Sequence, residues 1–294
     1  MSESQIEVIG EHKCLLAEGP VWDVKRQVIC WVDILNGKIH EYSRQHKTHN
    51  IISVYQKIGS VAICDNGNFI AALQNGFAFI DRSSGEIKMI TDPEDALPNN
   101  RFNDGKCDPA ERFWAGTMSL SEDKGAGSLY MLDRDLKCSK KISGVTISNG
   151  MSWSPDHKTF YYIDTPMHEV VAYDYDKQTS EISNRRVIIR INEQDGFPDG
   201  MTIDNEGMLW IAHWNGWQVT RWNPNTGEKL HTIKMPVAKV TSCTFGGKDL
   251  DSLYITTAKV DLTDEELKQQ PLAGSLFVID HCGYKGIPAV EFKV

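Results

Sequence analysis

Short apolar runs alternate with polar turns along the whole chain, and this pattern repeats six times. Each repeat begins at an anchor position, continues through an apolar or small-residue stretch, turns, and enters a second apolar run. Successive anchors lie between 42 residues apart (Glu18 to Ser60) and 50 residues apart (Asn149 to Asp199). Hairpin repeats of this length are typical of β-propellers. The six anchors are Glu18, Ser60, Asn103, Asn149, Asp199 and Ser242.

Turn residues between the apolar runs indicate four strands in each repeat. In five repeats a polar residue such as Asp23 or Asp204 begins the first turn five positions after the anchor. Asn-Gly dipeptides such as Asn36-Gly37 bound the outer strands, and this pair is a strong hairpin signal. The pattern predicts an all-β fold, a six-bladed β-propeller with four-stranded blades around a central channel. We expect a single domain over residues 1–294.

The two ends of the chain and one short helix complete the predicted architecture. A ring must close, so we expect either Ile6–Val8 or Ala289–Phe292 to complete a blade from the opposite terminus. Thr263 and Glu266 have the spacing of a capping box, in which each side chain caps the other residue's backbone. This pair predicts a helix of one or two turns within the last blade.

Composition and charge narrow the possible functions and locations. The chain has 294 residues and a formal net charge of −9, without a Lys/Arg cluster that could neutralise phosphates, so we expect no nucleic-acid partner. No cationic segment followed by an apolar run begins the chain, and no apolar run approaches the length of a membrane span, so we expect neither export nor membrane insertion. Seven cysteines without a CxxC pair favour free thiols in a reducing cytoplasm.

Four of the six anchors carry a carboxylate or an amide oxygen, and equivalent positions of a propeller converge on its axis. Glu18 and Asp199 offer carboxylates, whereas Asn103 and Asn149 offer amide oxygens. Such hard ligands suit Ca²⁺, Mg²⁺ or Mn²⁺, with Zn²⁺ or Fe²⁺ possible at lower affinity. The alternative is that Asn149-Gly150 and Asp199-Gly200 are plain turns. Because turn signals recur separately five residues later, the set as a whole favours a cation site.

Several longer motifs make a specific resemblance. The chain resembles the senescence-marker-protein (regucalcin), gluconolactonase and luciferin-regenerating-enzyme family over essentially its whole length. The motifs are Ala17–Pro20, Asn100–Lys106, Ala115–Met118, Ser148–Gly150, Tyr161–Asp164, Pro198–Met201, Ile182–Arg186 and Thr241–Lys248.

The resemblance implies both a ligand set and an activity. It implies a six-bladed propeller with one divalent ion near the axis, coordinated by Glu18, Asn149 and Asp199. It places Arg101 and Asn103 among the residues that bind substrate. It also implies an aldonolactone hydrolase, whose partner is a small-molecule sugar lactone.

Two substrate contacts remain open at this point. The family has an acidic residue in the loop after Gly116–Met118, but this chain has Ser121 there, so Glu122 is the candidate acceptor for a sugar hydroxyl. Arg101 has an alternative role as a surface residue that pairs with Glu94 or Asp95.

The predicted mechanism is Lewis-acid hydrolysis of the lactone ester. Asp199 is the predicted catalytic base as well as a metal ligand, although a carboxylate bound to a cation is a poorer base. Water whose pKa the ion lowers is the other source of nucleophile activation, and Asp104 is an alternative base. His213 is either a pocket residue beside Asp199 or a packed histidine.

Other functions and assemblies stay open. The protein could hydrolyse another lactone or a phosphotriester, or it could be a non-catalytic calcium-binding regulator. The pattern does not fix the oligomeric state beyond a monomer or weak homo-oligomer. We assign no role to the remaining histidines, which are His12, His40, His46, His49, His157, His168, His231 and His281.

Overall fold

The computed structural model describes residues 5–294 and consists of six four-stranded antiparallel sheets. Each sheet is one blade, and its innermost strand contacts the innermost strands of both neighbouring blades, so the blades form a closed ring. The predicted six-bladed β-propeller is therefore confirmed. The single-domain boundary over 1–294 remains a prediction, and residues 1–4 lie outside the described part.

The strands are numbered along the chain, and all but the first follow blade order. The first strand is β1 (Ile6–Ile9). Blade 1 contains β2 (Ala17–Asp23), β3 (Val28–Asp33), β4 (Lys38–Ser43) and β5 (Thr48–Ser53). Blade 2 contains β6 (Ile58–Ile63), β7 (Phe69–Leu73), β8 (Gly76–Ile80) and β9 (Ile87–Thr91). Blade 3 contains β10 (Asn100–Cys107), β11 (Phe113–Ser119), β12 (Gly127–Leu132) and β13 (Cys138–Val145).

The remaining blades repeat the same order. Blade 4 contains β14 (Ser148–Trp153), β15 (Thr159–Asp164), β16 (Glu169–Tyr175) and β17 (Ile182–Arg190). Blade 5 contains β18 (Phe197–Ile203), β19 (Leu209–Trp214), β20 (Gln218–Trp222) and β21 (Lys229–Lys234). Blade 6 contains β22 (Val240–Gly246), β23 (Ser252–Thr257) and β24 (Leu276–Ile279), with β1 as its outer strand.

The ring closes through the N-terminal segment, as one of the two predicted alternatives required. Strand β1 pairs antiparallel with β24, with Ile6 opposite Ile279. The other alternative, Ala289–Phe292, forms no blade strand, but Phe292 makes an isolated parallel bridge with Cys64 and its ring is buried. Both ends of the described chain are therefore fixed to blades that are distant in sequence.

The predicted short helix is also confirmed. Helix α1 (Asp264–Gln269) lies between β23 and β24, and Thr263 is its N-cap. The Thr263 hydroxyl accepts a hydrogen bond from the Glu266 amide while the Glu266 carboxylate accepts one from the Thr263 amide. This reciprocal capping satisfies donors that the first turn of a helix otherwise leaves without partners.

The apolar core lies between the blades because the inner strands are covered on both faces. All six residues of β3 and of β6 are buried, whereas β5 and β21 at the rim contain no buried residue. A continuous apolar run is the expected sequence of a strand covered on both faces. All seven cysteines are free thiols. In residues 5–294 no helix is long and apolar enough to cross a membrane.

Candidate active site

Every inner strand has a register shift at or beside its anchor. In β10, Phe102 pairs with Thr117 and Gly105 pairs with Ala115, so Asn103 and Asp104 together face only Gly116. The same arrangement of two residues against one occurs at the anchors of β14 and β18, and directly after the anchor Glu18 in β2. A bulge of this kind bends the strand and changes the direction of its side chains. The anchors thus combine strand pairing with side chains that reach the ring axis.

The glycines after two anchors are needed because neighbouring inner strands pass very close to them. A Cβ on Gly200 would lie 2.1 Å from the Ser242 hydroxyl oxygen, and a Cβ on Gly150 would lie 2.6 Å from the Met201 Cβ. Both glycines lie inside strands, β14 and β18. The alternative interpretation of these two dipeptides as plain turns is therefore wrong.

The three predicted metal ligands are buried at the axis. Glu18, Asn149 and Asp199 are 5%, 3% and 6% exposed. The Asn149 amide nitrogen donates to the Thr165 hydroxyl over 2.8 Å, which fixes the orientation of the side chain. The Asn149 amide oxygen is buried and has no hydrogen-bond partner in residues 5–294. A buried carbonyl without a partner costs free energy, so this atom indicates a missing ligand.

The charges of the cluster point to the same conclusion. Burial raises the pKa of Glu18 well above its usual value, and the charges of Asp199 and Asp104 raise it further. Burial likewise raises the pKa of Asp199, and Asp104 adds to the shift. Buried acids that repel one another in this way need a cation to stay ionised. The side chains of Glu18, Asn149 and Asp199 therefore fit one divalent ion that prefers oxygen ligands.

Arg101 and Asn103 lie beside this cluster and orient each other. An Arg101 Nη1 hydrogen donates to the Asn103 amide oxygen over 2.7 Å and to the Phe102 carbonyl over 2.9 Å. The Asn103 amide nitrogen donates to the Ser148 carbonyl over 2.8 Å. Burial lowers the pKa of Arg101 to about 10, although the charges of Glu18, Glu122 and Asp199 oppose the shift.

The alternative surface role of Arg101 is wrong. Arg101 is buried, and its hydrogen bonds go to Asn103 and the backbone rather than to Glu94. The Glu94 carboxylate instead accepts hydrogen bonds from Asn100, Thr117 and Tyr130. Arg101 therefore belongs to the axial cluster.

Glu122 occupies a different position from the other predicted site residues. It is exposed, and it lies in the loop after β11 with a positive φ of 57°. Its negative charge raises the pKa of Arg101, which places it within electrostatic range of that guanidinium. Glu122 thus lies at the rim of the site and not among the buried ligands.

The chain is similar to known proteins over nearly its whole length. Residues 16–259 match the model of the SMP-30/Gluconolactonase/LRE-like region. The chain is 41% identical to regucalcin from Gallus gallus over 297 residues, which covers 99% of both proteins. It superposes on the solved luciferin-regenerating enzyme with a TM-score of 0.92 and 34% identity, covering 99% of both chains. A calcium-binding protein, regucalcin from Agrobacterium tumefaciens, gives a TM-score of 0.93 at 27% identity, covering 98% of this chain and 97% of that one.

The chain belongs to the SMP-30/gluconolactonase/LRE-like family. The resemblance that the motifs indicated is thereby confirmed. The family match includes all six anchors, since they lie between residues 18 and 242.

Two residues that the sequence did not single out support this family site. The Thr165 hydroxyl accepts from Asn149 and donates to the Pro198 carbonyl over 2.9 Å, so it links the ligand-bearing strands of blades 4 and 5. Lys106 lies half-buried below the anchors, and its amino group donates to the Met201 carbonyl over 2.8 Å. The only sequence signal for these two residues is their position: Thr165 directly follows a family motif, and Lys106 ends one.

Asp104 and His213 lie in different surroundings. Asp104 and Lys106 line a cavity of about 180 Å³ that continues the channel beneath the anchors. Burial raises the pKa of Asp104, and the charge of Lys106 opposes this shift. His213 is fully buried, with its Nε2 atom 2.6 Å from the Thr220 hydroxyl, and burial lowers its pKa to about 4. Of its two predicted roles, the structure supports that of a packed histidine.

Proposed function

We propose that this protein is a metal-dependent sugar lactonase that hydrolyses an aldonolactone of the gluconolactone type to the aldonic acid. The observation that carries the proposal is the axial group of buried, mutually repelling carboxylates with the Asn149 amide oxygen, which has no hydrogen-bond partner in residues 5–294, beside a buried guanidinium. Glu18, Asn149 and Asp199 supply the oxygens, and Arg101 supplies the guanidinium. Membership of a family whose description includes gluconolactonase supports the same class of reaction.

Glu18, Asn149 and Asp199 would hold one divalent ion, either Ca²⁺, Mg²⁺, Mn²⁺, Zn²⁺ or Fe²⁺. When bound, such an ion supplies Lewis-acid polarisation of the lactone carbonyl. Three protein ligands leave positions for other oxygen atoms, because Ca²⁺ takes six to eight ligands and Mg²⁺ takes six.

The side chains around the ion would orient the lactone and move the proton. Arg101 donates hydrogen bonds to lactone or hydroxyl oxygens, and Asn103, held by Arg101 and Ser148, does the same through its amide. Glu122 at the rim accepts from a sugar hydroxyl. Asp199 takes a proton from the attacking water, whose oxygen adds to the carbonyl carbon. The ring C–O bond then breaks, and the leaving oxygen receives a proton and becomes a hydroxyl of the open acid.

A panel of aldono-1,4- and 1,5-lactones, assayed by acid release with and without a chelator, tests this function. We expect hydrolysis of at least one sugar lactone, its loss on chelation, and its recovery when a divalent ion is added back. Repeating the panel with each of the five ions identifies the metal that supports turnover. Hydrolysis of no sugar lactone in the presence of every ion would overturn the proposal. Turnover of a non-sugar lactone or a phosphotriester alone would show that the axial site has another substrate.

The second candidate function is that of a non-catalytic calcium-binding regulator. It is favoured by one finding, that a structural relative is described as a calcium-binding protein. A calcium titration followed by circular dichroism and size-exclusion chromatography separates the two functions. A regulator should change conformation or association at micromolar calcium, whereas a lactonase should bind the ion without either change.

The free thiols further favour a reducing compartment such as the cytoplasm for the active protein.

A further inference from the structure

A second group of metal-ligating side chains lies in blade 1, away from the anchors. His12 and Cys14 come from the segment before β2, Asp33 ends β3, and His40 lies in β4. One potential ligand atom from each of these four residues lies within 4.8 Å of every other. Cys14, Asp33 and His40 are buried, and His12 is half-buried. We propose that His12, Cys14, Asp33 and His40 form a second metal site, which binds Zn²⁺.

The ligand types suit zinc rather than the ions expected at the axis. One thiolate, two imidazoles and one carboxylate are the donors of tetrahedral zinc sites, whereas Ca²⁺ and Mg²⁺ take oxygen ligands. A Cys14 thiolate and the Asp33 carboxylate together carry the two negative charges that neutralise Zn²⁺. Cys14 gives up its thiol proton to the buffer when it binds the ion.

The distance between Cys14 and His40 is close to that of a bound pair. The Cys14 Sγ atom lies 3.8 Å from the His40 Nε2 atom. Zinc bonds of ordinary length in a tetrahedral arrangement separate a sulfur and a nitrogen ligand by roughly 3.5 Å. A shift of a few tenths of an ångström therefore brings these two atoms to the coordination distance.

His49 gives His40 the orientation that a metal ligand needs. The His40 Nδ1 atom lies 3.0 Å from the His49 Nε2 atom, so the Nδ1 hydrogen of His40 can donate to His49. This hydrogen bond leaves the lone pair of His40 on Nε2, which faces Cys14. The rings of both histidines also stack on Trp31, with centroids 4.9 Å and 5.4 Å away. A metal-binding histidine commonly has such a partner on its second nitrogen.

Two of the other three ligands, Cys14 and Asp33, are also held in place. The Trp31 indole nitrogen donates to the Cys14 sulfur over 3.3 Å, and the Cys14 amide donates to the Gly274 carbonyl of blade 6. The Asp33 Oδ2 atom accepts from the Leu15 amide and from Asn36, whereas Oδ1 accepts from the Leu16 amide alone, which leaves one lone pair on Oδ1 for a metal ion.

Asp33 of blade 1 has a counterpart in blade 4, and the comparison shows which ligands are particular to blade 1. Asp164 ends the equivalent strand of blade 4 and accepts hydrogen bonds from the Thr146 and Ile147 amides in the same way. Asp164 is not part of any comparable group of His, Cys and acidic residues in 5–294. A carboxylate at this position is therefore a feature of the fold that recurs in two blades. In blade 1 it is accompanied by the two histidines and Cys14.

The position of the group predicts what zinc would do. Residues 10–16 connect β1, the outer strand of blade 6, to β2, the inner strand of blade 1. Zinc bound to Cys14 and His40 would tie this closing segment to blade 1. Because the ligands come together only in the folded chain, zinc binding should stabilise the closed ring.

Cobalt and zinc titrations of the full chain test the proposal. The background variant is Asp199→Asn, so that the axial ligands do not contribute. Co²⁺ should produce the charge-transfer absorption of a thiolate–cobalt bond, and one equivalent of Zn²⁺ should remove it. Zn²⁺ should also raise the melting temperature. Glu18, Asn149 and Asp199 offer oxygen alone, so the axial site cannot give the thiolate band.

Matched variants locate the signal. Cys14→Ser should abolish the band, and Cys138→Ser, at a partly buried free cysteine of blade 3, should leave it unchanged. His12→Asn, at a half-buried position, should weaken zinc binding without disturbing the fold. His49→Gln should weaken it about ten- to a hundred-fold, because His49 orients His40. Absence of the thiolate band in the parent, or equal zinc titrations for Cys14→Ser and Cys138→Ser, would overturn the proposal.

Discussion

Buried carboxylates lie at both ends of the inner strands, but their surroundings differ completely. At the anchor end, Glu18, Asp104 and Asp199 gather near the axis; burial raises the pKa of all three, and the charges of neighbouring acids raise those of Glu18 and Asp199 further. At the turn end, each buried acid has its own cation. Asp23 pairs with Arg82 over 2.6 Å, Asp108 with Arg112 over 2.7 Å and Asp204 with Arg221 over 2.7 Å.

The hydrogen bonds of the two groups show the same contrast. The Asp108 carboxylate accepts from two backbone amides and from the side chains of Arg112, Trp114 and Tyr175. The Glu18 carboxylate accepts one from the adjacent Gly19 amide. The carboxylates at the turn end have the partners that a stable fold requires, whereas those at the anchor end lack them. Such unsatisfied groups are expected at functional sites, where a protein retains groups that lower its stability because its function needs them.

The largest effect should follow from the loss of an anchor carboxylate. Asp199→Asn removes both the proposed base and a metal ligand, so kcat/KM for the best lactone should fall by about 10²- to 10⁴-fold. The stability of the metal-free protein should stay equal or rise, because one of several mutually repelling buried charges is gone. Steady-state kinetics and urea unfolding measure the two quantities. Retained turnover in this variant would mean that the chemistry lies elsewhere.

The matched change at the turn end should have the opposite profile. Asp108→Asn leaves the Arg112 guanidinium without its buried counter-charge and should lower the free energy of unfolding by about 3 to 5 kcal/mol. At a temperature where the variant is folded, its kcat/KM per folded molecule should match that of the parent. If Asp108→Asn and Asp199→Asn reduced stability equally, the distinction between the two ends would fail.

Acid should destabilise the protein partly through His213. Burial holds the folded-state pKa of this residue at about 4, below the ordinary value of 6.5. As the pH falls below 6.5, His213 binds a proton in the unfolded chain but not in the folded chain. Stability is therefore lost between pH 6.5 and about 4. One such group contributes a slope of up to roughly 1.4 kcal/mol per pH unit. Urea unfolding at pH 7, 6 and 5 should therefore show a shallower pH dependence for His213→Gln than for the parent.

The smallest effect should come from a substitution that changes the shape of the Arg101 side chain and keeps its positive charge. Arg101→Lys keeps a positive charge beside the ligands but loses the planar fork that holds Asn103 and would contact the lactone. We expect KM to rise about tenfold or more, with a smaller change in kcat, because a charge-assisted hydrogen bond is lost. Kinetics over a range of lactone concentrations separate the two constants. An unchanged KM would remove Arg101 from the substrate contacts.

The sequence predicted the ring and its anchors because both depend on periodicity. Apolar runs and turn residues repeat locally, so the blades and the common face of Glu18, Asn149 and Asp199 follow from spacing alone. The bulges that direct these side chains inward could not be predicted, because they depend on the pairing between strands. The role of Thr165 could not be predicted for the same reason, because it depends on where Asn149 and Pro198 lie in space.

Contacts between distant residues were the other feature that spacing could not reveal. Arg82 pairs with Asp23 across 59 positions, and no local pattern connects them. The sequence indicates no role for His12, His40 and His49, because the histidines outside the anchor strands lie mostly on predicted outer strands or turns. Strand register places His40 opposite Trp31 and His49 opposite Tyr42, and the path of residues 10–16 brings Cys14 to the same face.

The most direct test of the central claim is a count of ions bound at the axis together with lactone turnover. The Cys14→Ser variant removes the thiolate ligand in blade 1, so elemental analysis after dialysis against the activating ion reports the axial site. We predict one ion per chain and metal-dependent hydrolysis for Cys14→Ser, and neither for the double variant Cys14→Ser, Asp199→Asn. An equal ion content in the two proteins, or hydrolysis by Cys14→Ser that survives complete chelation, would contradict the account.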